Sequence, residues 1–131
     1  MQGRFAQAAA FCGGINMAKT ETTVRNKSSF EDTVKHFTDA VMNGSYTATL
    51  EESIDMQAGN AVCAVRTLER YSALGGNRVS MTIVFLSEEG SDETKIVATS
   101  TGGGGLVKIV PWGENEFLDT FNQAVRLWKN K

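Results

Sequence analysis

The sequence predicts a two-layer α+β domain: an antiparallel sheet of four to six strands packed against two amphipathic helices, in the order β-α-β-β-β-β-(β)-α. Three observations carry this expectation. The last residues hold an apolar stripe at helical spacing. A second helix opens at Ser28-Ser29-Phe30-Glu31. Between the helices, alternating segments follow one another through short glycine-containing turns, the pattern of antiparallel neighbours rather than of crossover units.

Residues 1–16 (MQGRFAQAAAFCGGIN) read differently from the remainder. Their Ala/Phe run has poor flanks for a secretory signal. Cys12-Gly13-Gly14-Ile15-Asn16-Met17 back-translates as TGC GGA GGA ATT AAC ATG, a GGAGG ribosome-binding string followed by a start codon. We therefore expect Met17 to be the natural start, with residues 1–16 a non-native or mis-annotated leader and 17–131 a single domain; the alternative is an ordinary native extension.

Thr20–Lys27 (TETTVRNK) is rich in Thr and Val and reads as an edge strand. Ser28-Ser29-Phe30-Glu31 matches a capping box, in which a serine oxygen and a glutamate satisfy free amides at a helix start. Phe30, Val34, Phe37 and Val41 form the stripe of that helix, and Asn43-Gly44 ends it, with Gly44 expected in the left-handed conformation. His36 falls off the stripe and is expected at the surface.

From Ser45 to Met56, Tyr46, Ala48, Leu50, Ile54 and Met56 are expected on one face of a half-buried strand, with Glu52 interrupting that face. Gln57-Ala58-Gly59-Asn60 turns into the strand Ala61–Ser72, with Val62, Ala64 and Leu68 on one side and Cys63, Val65 and Tyr71 on the other. Gly75-Gly76-Asn77 supplies the next turn. Arg78–Ser87 is the most apolar strand, Val79, Met81, Ile83 and Phe85 facing the core. Glu88–Asp92 turns again into Thr94–Ser100. Leu106–Val110 reads as a last strand or extended segment, stopped by Pro111 and Gly113. In Glu114–Lys131, Phe117, Leu118, Phe121, Ala124, Val125 and Trp128 make a core-facing stripe. Acidic residues in its early turns and basic ones in its last suit the helix dipole.

The 131 residues carry a net charge of −2, with 13 basic and 15 acidic side chains, which argues against a nucleic-acid surface. No apolar run approaches a membrane span. Two cysteines without CxxC spacing point to a reducing, cytoplasmic setting, and a single histidine sets aside a His-rich metal site. The acidic Glu51, Glu52 and Asp55 lack the spacing of a calcium loop. No cofactor is expected.

Two segments are candidate ligand sites. Thr101-Gly102-Gly103-Gly104-Gly105 offers backbone amides, but leads into Leu-Val-Lys-Ile-Val with Lys108 on a strand-like segment and lacks a phosphate-loop pattern. It reads as a turn, with Gly103 and Gly104 able to clamp a ligand. Arg66, Glu69, Arg70, Tyr71, Asn77 and Arg78 gather at one hairpin, where three guanidinium groups would hold a carboxylate or phosphate, Tyr71 adding a hydroxyl. The competing reading is cross-strand Arg–Glu pairing on a solvated face. Cys63 with His36 as nucleophile and base has little support, because Cys63 sits between apolar neighbours in mid-strand.

Asn43-Gly44-Ser45, Cys63-Ala64-Val65-Arg66, Glu69-Arg70-Tyr71-Ser72, Gly75-Gly76-Asn77-Arg78-Val79-Ser80 and Trp112-Gly113-Glu114 with Phe117-Leu118 together resemble, over Met17–Trp128, a family of small bacterial cytoplasmic proteins, Domain of Unknown Function 6054. The glycine run departs from the Ser-Gly-Gly-Ser type turn of that family. The resemblance implies no activity. The expectation is a non-enzymatic domain acting by binding or as a homo-oligomer, with no nucleic-acid or membrane partner. The alternative is a small-molecule carrier with a pocket between the sheet and the closing helix.

Overall fold

The computed structural model describes residues 18–71, 78–102 and 112–130, with the side chains of 112–116 excepted. The elements are β1 (Ala18–Arg25), α1 (Phe30–Asn43), β2 (Thr49–Ala58), β3 (Ala61–Tyr71), β4 (Arg78–Glu88), β5 (Glu93–Gly102) and α2 (Trp112–Lys129). Cys12, Gly75, Gly76, Asn77, Gly103, Gly104 and the expected segment Leu106–Val110 lie outside the described residues.

The five strands form one antiparallel sheet in the order β1-β5-β4-β3-β2. β2 to β5 are a meander, and β1 joins its far edge beside β5, as the edge-strand composition predicts. The chain must then return from the β1 edge to the β2 edge. α1 makes that crossing on the same face of the sheet that α2 covers, so the fold has two layers and one core.

The core follows the two sequence periods. Val79, Met81, Ile83 and Phe85 of β4 are buried on the helical side, with Ala64, Leu68, Ile96 and Ala98 beside them. The whole α2 stripe, Phe117 to Trp128, is buried against them, together with Val34, Phe37 and Val41 of α1. Three side-chain hydrogen bonds cross this layer: Asn26 Oδ1 accepts from Thr33 Oγ1 at 2.9 Å and Thr94 Oγ1 at 2.7 Å, and Asn122 Oδ1 from Thr20 Oγ1 at 2.7 Å. These bonds tie β1 and its exit to β5, α1 and α2.

Three local expectations are corrected. The N-cap of α1 is Ser29, whose side chain accepts from the Asp32 amide at 3.0 Å, while Ser28 Oγ bonds the Asp32 carboxylate at 2.6 Å. The box therefore sits one residue later than the Ser28–Glu31 match. Gly44 is right-handed, at φ −78°; a Cβ there would come 2.4 Å from Thr120 Cγ2, so glycine serves close helix approach, not a left-handed cap. Finally, β2 is not half-buried: all ten residues are exposed.

Two features account for the last difference: neither helix packs over β2, and a bulge divides its apolar residues. Leu50 pairs with Leu68, but Glu52 pairs with Thr67, leaving Glu51 as an extra residue. Leu50 thus shares the helical side with Leu68, whereas Ile54 and Met56, opposite Val65 and Cys63, are moved to the other side. The single apolar face expected for Tyr46 to Met56 is split in two.

Candidate functional site

The same period of two divides the predicted arginine site. Arg66 and Arg70 share the parity of Ala64 and Leu68 and stand on the helical side. Tyr71, and Arg78 opposite it, stand on the other side. There Arg78 bonds Glu69, which lifts its pKa above the ordinary arginine value, and its guanidinium lies 5.5 Å from the Tyr71 ring. That half of the cluster is the cross-strand pairing weighed above. Asn77, Gly103 and Gly104 are outside the described residues.

On the helical side, α1 contacts β3 and β5 and leaves β2 overhanging. The space beneath is an open groove of about 560 Å³ between Phe30, Val34 and Thr38 of α1, Leu50 and Asp55 of β2, and Arg66 of β3. Arg66 has only 15% of its side chain exposed. Its Nη2 meets Asp55 Oδ1 at 2.9 Å, and Nη1 donates to the Val65 carbonyl at 3.0 Å and the Ile54 carbonyl at 3.3 Å. At the rim, the Lys35–Asp39 bridge of 2.5 Å raises the lysine pKa. Arg70 lies deeper towards α2, its guanidinium 5.1 Å from the Phe117 ring. A smaller groove of about 340 Å³ lies where α1 meets α2. On its floor Trp128 is flanked by His36, ring centroids 4.6 Å apart, and by Lys27 Nζ at 4.3 Å. His36 is thus exposed, as expected, yet packed against an aromatic ring at a tilt of 60°.

Among the described residues, no helix covers the opposite side of the sheet. Across neighbouring strands, Ile54, Val65, Val84 and Val97 form one continuous apolar row ending at Glu21. Met56, Cys63 and Leu86 make a second row beside it, which continues through Lys95 of β5 to Thr23 of β1. A third runs Glu52, Thr67, Thr82, Thr99 and Lys19. Ile54, Met56 and Leu86 are 43%, 54% and 45% exposed, and the valines are half-buried. Seven contiguous apolar residues in two adjacent rows differ from the scattered exposed leucines of an ordinary surface. Sequence reading placed Cys63 and Val65 on this side but missed the continuation. Its signal was the unbroken Ile83-Val84-Phe85-Leu86, which marks a strand apolar on both faces.

Cys63 lies on this face and His36 on the helix covering the other, so they do not form a nucleophile–base pair. Among the described residues, no three His, Cys, Asp or Glu side chains group as metal ligands, and no helix is long and apolar enough to cross a membrane.

The fold and these surfaces define a small two-layer α+β domain whose two described helices both lie on one side of its sheet. The chain belongs to DUF6054, a family of unknown function whose model matches residues 17–129. Among solved structures it is similar to the hypothetical protein jhp0584 from Helicobacter pylori, at 14% identity over 83% of this chain and 84% of that one, with a TM-score of 0.43. It is also similar to major latex-like protein 151 from Panax ginseng, at 13% identity over 83% of this chain and 95% of that one, with a TM-score of 0.30. No curated protein matches it in sequence.

Proposed function

We infer that the protein is a non-enzymatic cytoplasmic domain that acts by binding another protein surface through the uncovered side of its sheet. The observation that carries this reading is the pair of adjacent apolar rows, Ile54-Val65-Val84-Val97 and Met56-Cys63-Leu86. Leaving them in water forgoes burial of roughly 25 cal/mol per Å², and a β-branched, pleated surface is suited to stacking against another sheet. Native mass spectrometry of the full chain beside its Val84→Arg variant tests the reading. An associated protein mass present with the parent chain and lost from the variant is the expected result. Equal behaviour of the two overturns it.

A second reading, a small-molecule carrier, is favoured by the largely buried Arg66 at the floor of the α1 groove. Arg66 with Asp55 would orient a polar ligand end while Phe30, Val34 and Leu50 hold an apolar one. The groove lies against α1, whereas the sequence pointed to the closing helix. A small molecule retained by the parent chain and lost from Arg66→Met would favour this reading over the first.

A further inference from the structure

We propose that the occupant of the uncovered sheet face is a second copy of this chain, packed face to face about a two-fold axis running along β4. This rests on the reading of that face as a binding surface and adds the partner and the geometry.

Two features of the face single out a second copy. The first is its charge layout. The threonine row begins at Lys19 on the β1 edge and ends at Glu52 on the β2 edge, with Thr99, Thr82 and Thr67 between them. An isologous contact requires a patch complementary to itself. A two-fold axis along the central strand turns the β1 edge of one copy over the β2 edge of the other. Lys19 then faces Glu52 of the second copy, and its own Glu52 faces that copy's Lys19. In the middle of the face Val84 meets Val84, Leu86 meets Leu86, and Val97 lies over Val65. An in-plane axis across the strands would instead keep each edge over itself; when it passes through the threonine row it sets Lys19 on Lys19 and Glu52 on Glu52. The same axis sets Glu21 over Ile54 and Lys95 over Cys63, and Lys19 also bridges Glu21 of its own copy at 3.8 Å. Of the two axes, the Lys19–Glu52 contacts favour the one along β4.

The second feature is extent. Five strands about 4.8 Å apart and three residue rows give a footprint of roughly 500 Å² per copy. The total, about 1,000 Å², is at the lower end for a specific interface and implies a dimer that dissociates on dilution. Apart from Lys95 on β5, its centre is apolar or threonine, and Lys19, Glu21 and Glu52 stand on the edge strands, as charges do at the rim of a protein interface. Aligned stacking of twisted sheets about 10 Å apart gives these side chains room to interdigitate.

The experiment is sedimentation equilibrium of the full chain from micromolar to millimolar concentration, with four variants: Lys19→Glu, Glu52→Lys, the double swap and Val84→Arg. Both charged positions are on edge strands at the surface, so the fold should tolerate them. The parent chain is expected to be a concentration-dependent dimer. Each single swap turns two attractive contacts into two repulsive ones and should weaken association about tenfold, while the double swap should return it to within about threefold. Val84→Arg should abolish it. A dimer that Val84→Arg dissociates but the swaps leave unchanged overturns the axis and leaves the face reading intact. A dimer indifferent to Val84→Arg overturns both. A parent chain that stays monomeric throughout overturns the second copy, and a different protein mass in the native spectra then identifies another occupant.

Discussion

The indole N–H of Trp128, in the last turn of α2, donates to the main-chain carbonyl of Arg25 at the end of β1, at 2.9 Å. The same ring lies 5.2 Å from Phe37 of α1, so one side chain joins the two helices to the first strand. Trp128→Phe should keep most of this packing and lose the hydrogen bond, costing about 1 kcal/mol. Trp128→Ala should cost about 3–5 kcal/mol. Urea midpoints at constant slope measure both.

Gly44→Ala should destabilise the fold, although alanine is ordinarily the better residue at a right-handed position near a helix end. The new methyl would come 2.4 Å from Thr120 Cγ2, and forced overpacking of this kind costs about 1–3 kcal/mol. Thr120→Ser removes that methyl and keeps the hydroxyl. In the double variant most of the loss should be recovered, a coupling that thermal unfolding of the four proteins in the cycle would read directly.

Asn26 accepts two threonine hydroxyls through one carbonyl oxygen. Asn26→Ala leaves Thr33 without one partner, though its hydroxyl also has the Ser29 carbonyl at 2.9 Å. Thr94, fully buried, is left without this acceptor. The expected loss is about 2–3 kcal/mol, with Thr94→Val in the same background restoring part of it by removing the stranded hydroxyl. Denaturant titration decides between this and an additive outcome.

His36 packs against Trp128, with ring centroids 4.6 Å apart and planes tilted by 60°. In a Trp112→Phe background, where Trp128 is the sole tryptophan, His36→Ala should uncover more of the indole to water and move its emission to longer wavelength. Identical emission spectra for the two proteins would mean that His36 does not shield the ring.

How much of this was legible in the chain depends on which interactions are periodic. β4 and the α2 stripe were readable to the residue, because burial there follows repeats of two and 3.6 without interruption. β2 misled because Glu51 is an inserted residue: an alternation that looks clean across a bulge describes two half-faces, and only the register reveals the slip. Gly44 misled because closeness to Thr120 is a tertiary fact, while the left-handed cap is a local habit of glycine. The arginine cluster was real in sequence, but spacing of four between Arg66 and Arg70 and of one to Tyr71 sends them to opposite sides of a strand. The apolar outer side went unnoticed for a similar reason. Its residues come from four strands, each contributing only one or two.

The strand order has a consequence for how the protein is made. β1 leaves the ribosome first, yet its hydrogen-bonding neighbour in the sheet is β5, which is synthesised only after α1 and three further strands. The meander β2 to β5 can assemble from adjacent hairpins, whereas β1 and the carbonyl that Trp128 requires must wait for nearly the whole chain. β1 is therefore the natural last piece to dock, so substitutions in it should quicken unfolding more than they slow folding. Until it docks, the open edge of β5 is where a growing chain is most exposed to the wrong partner.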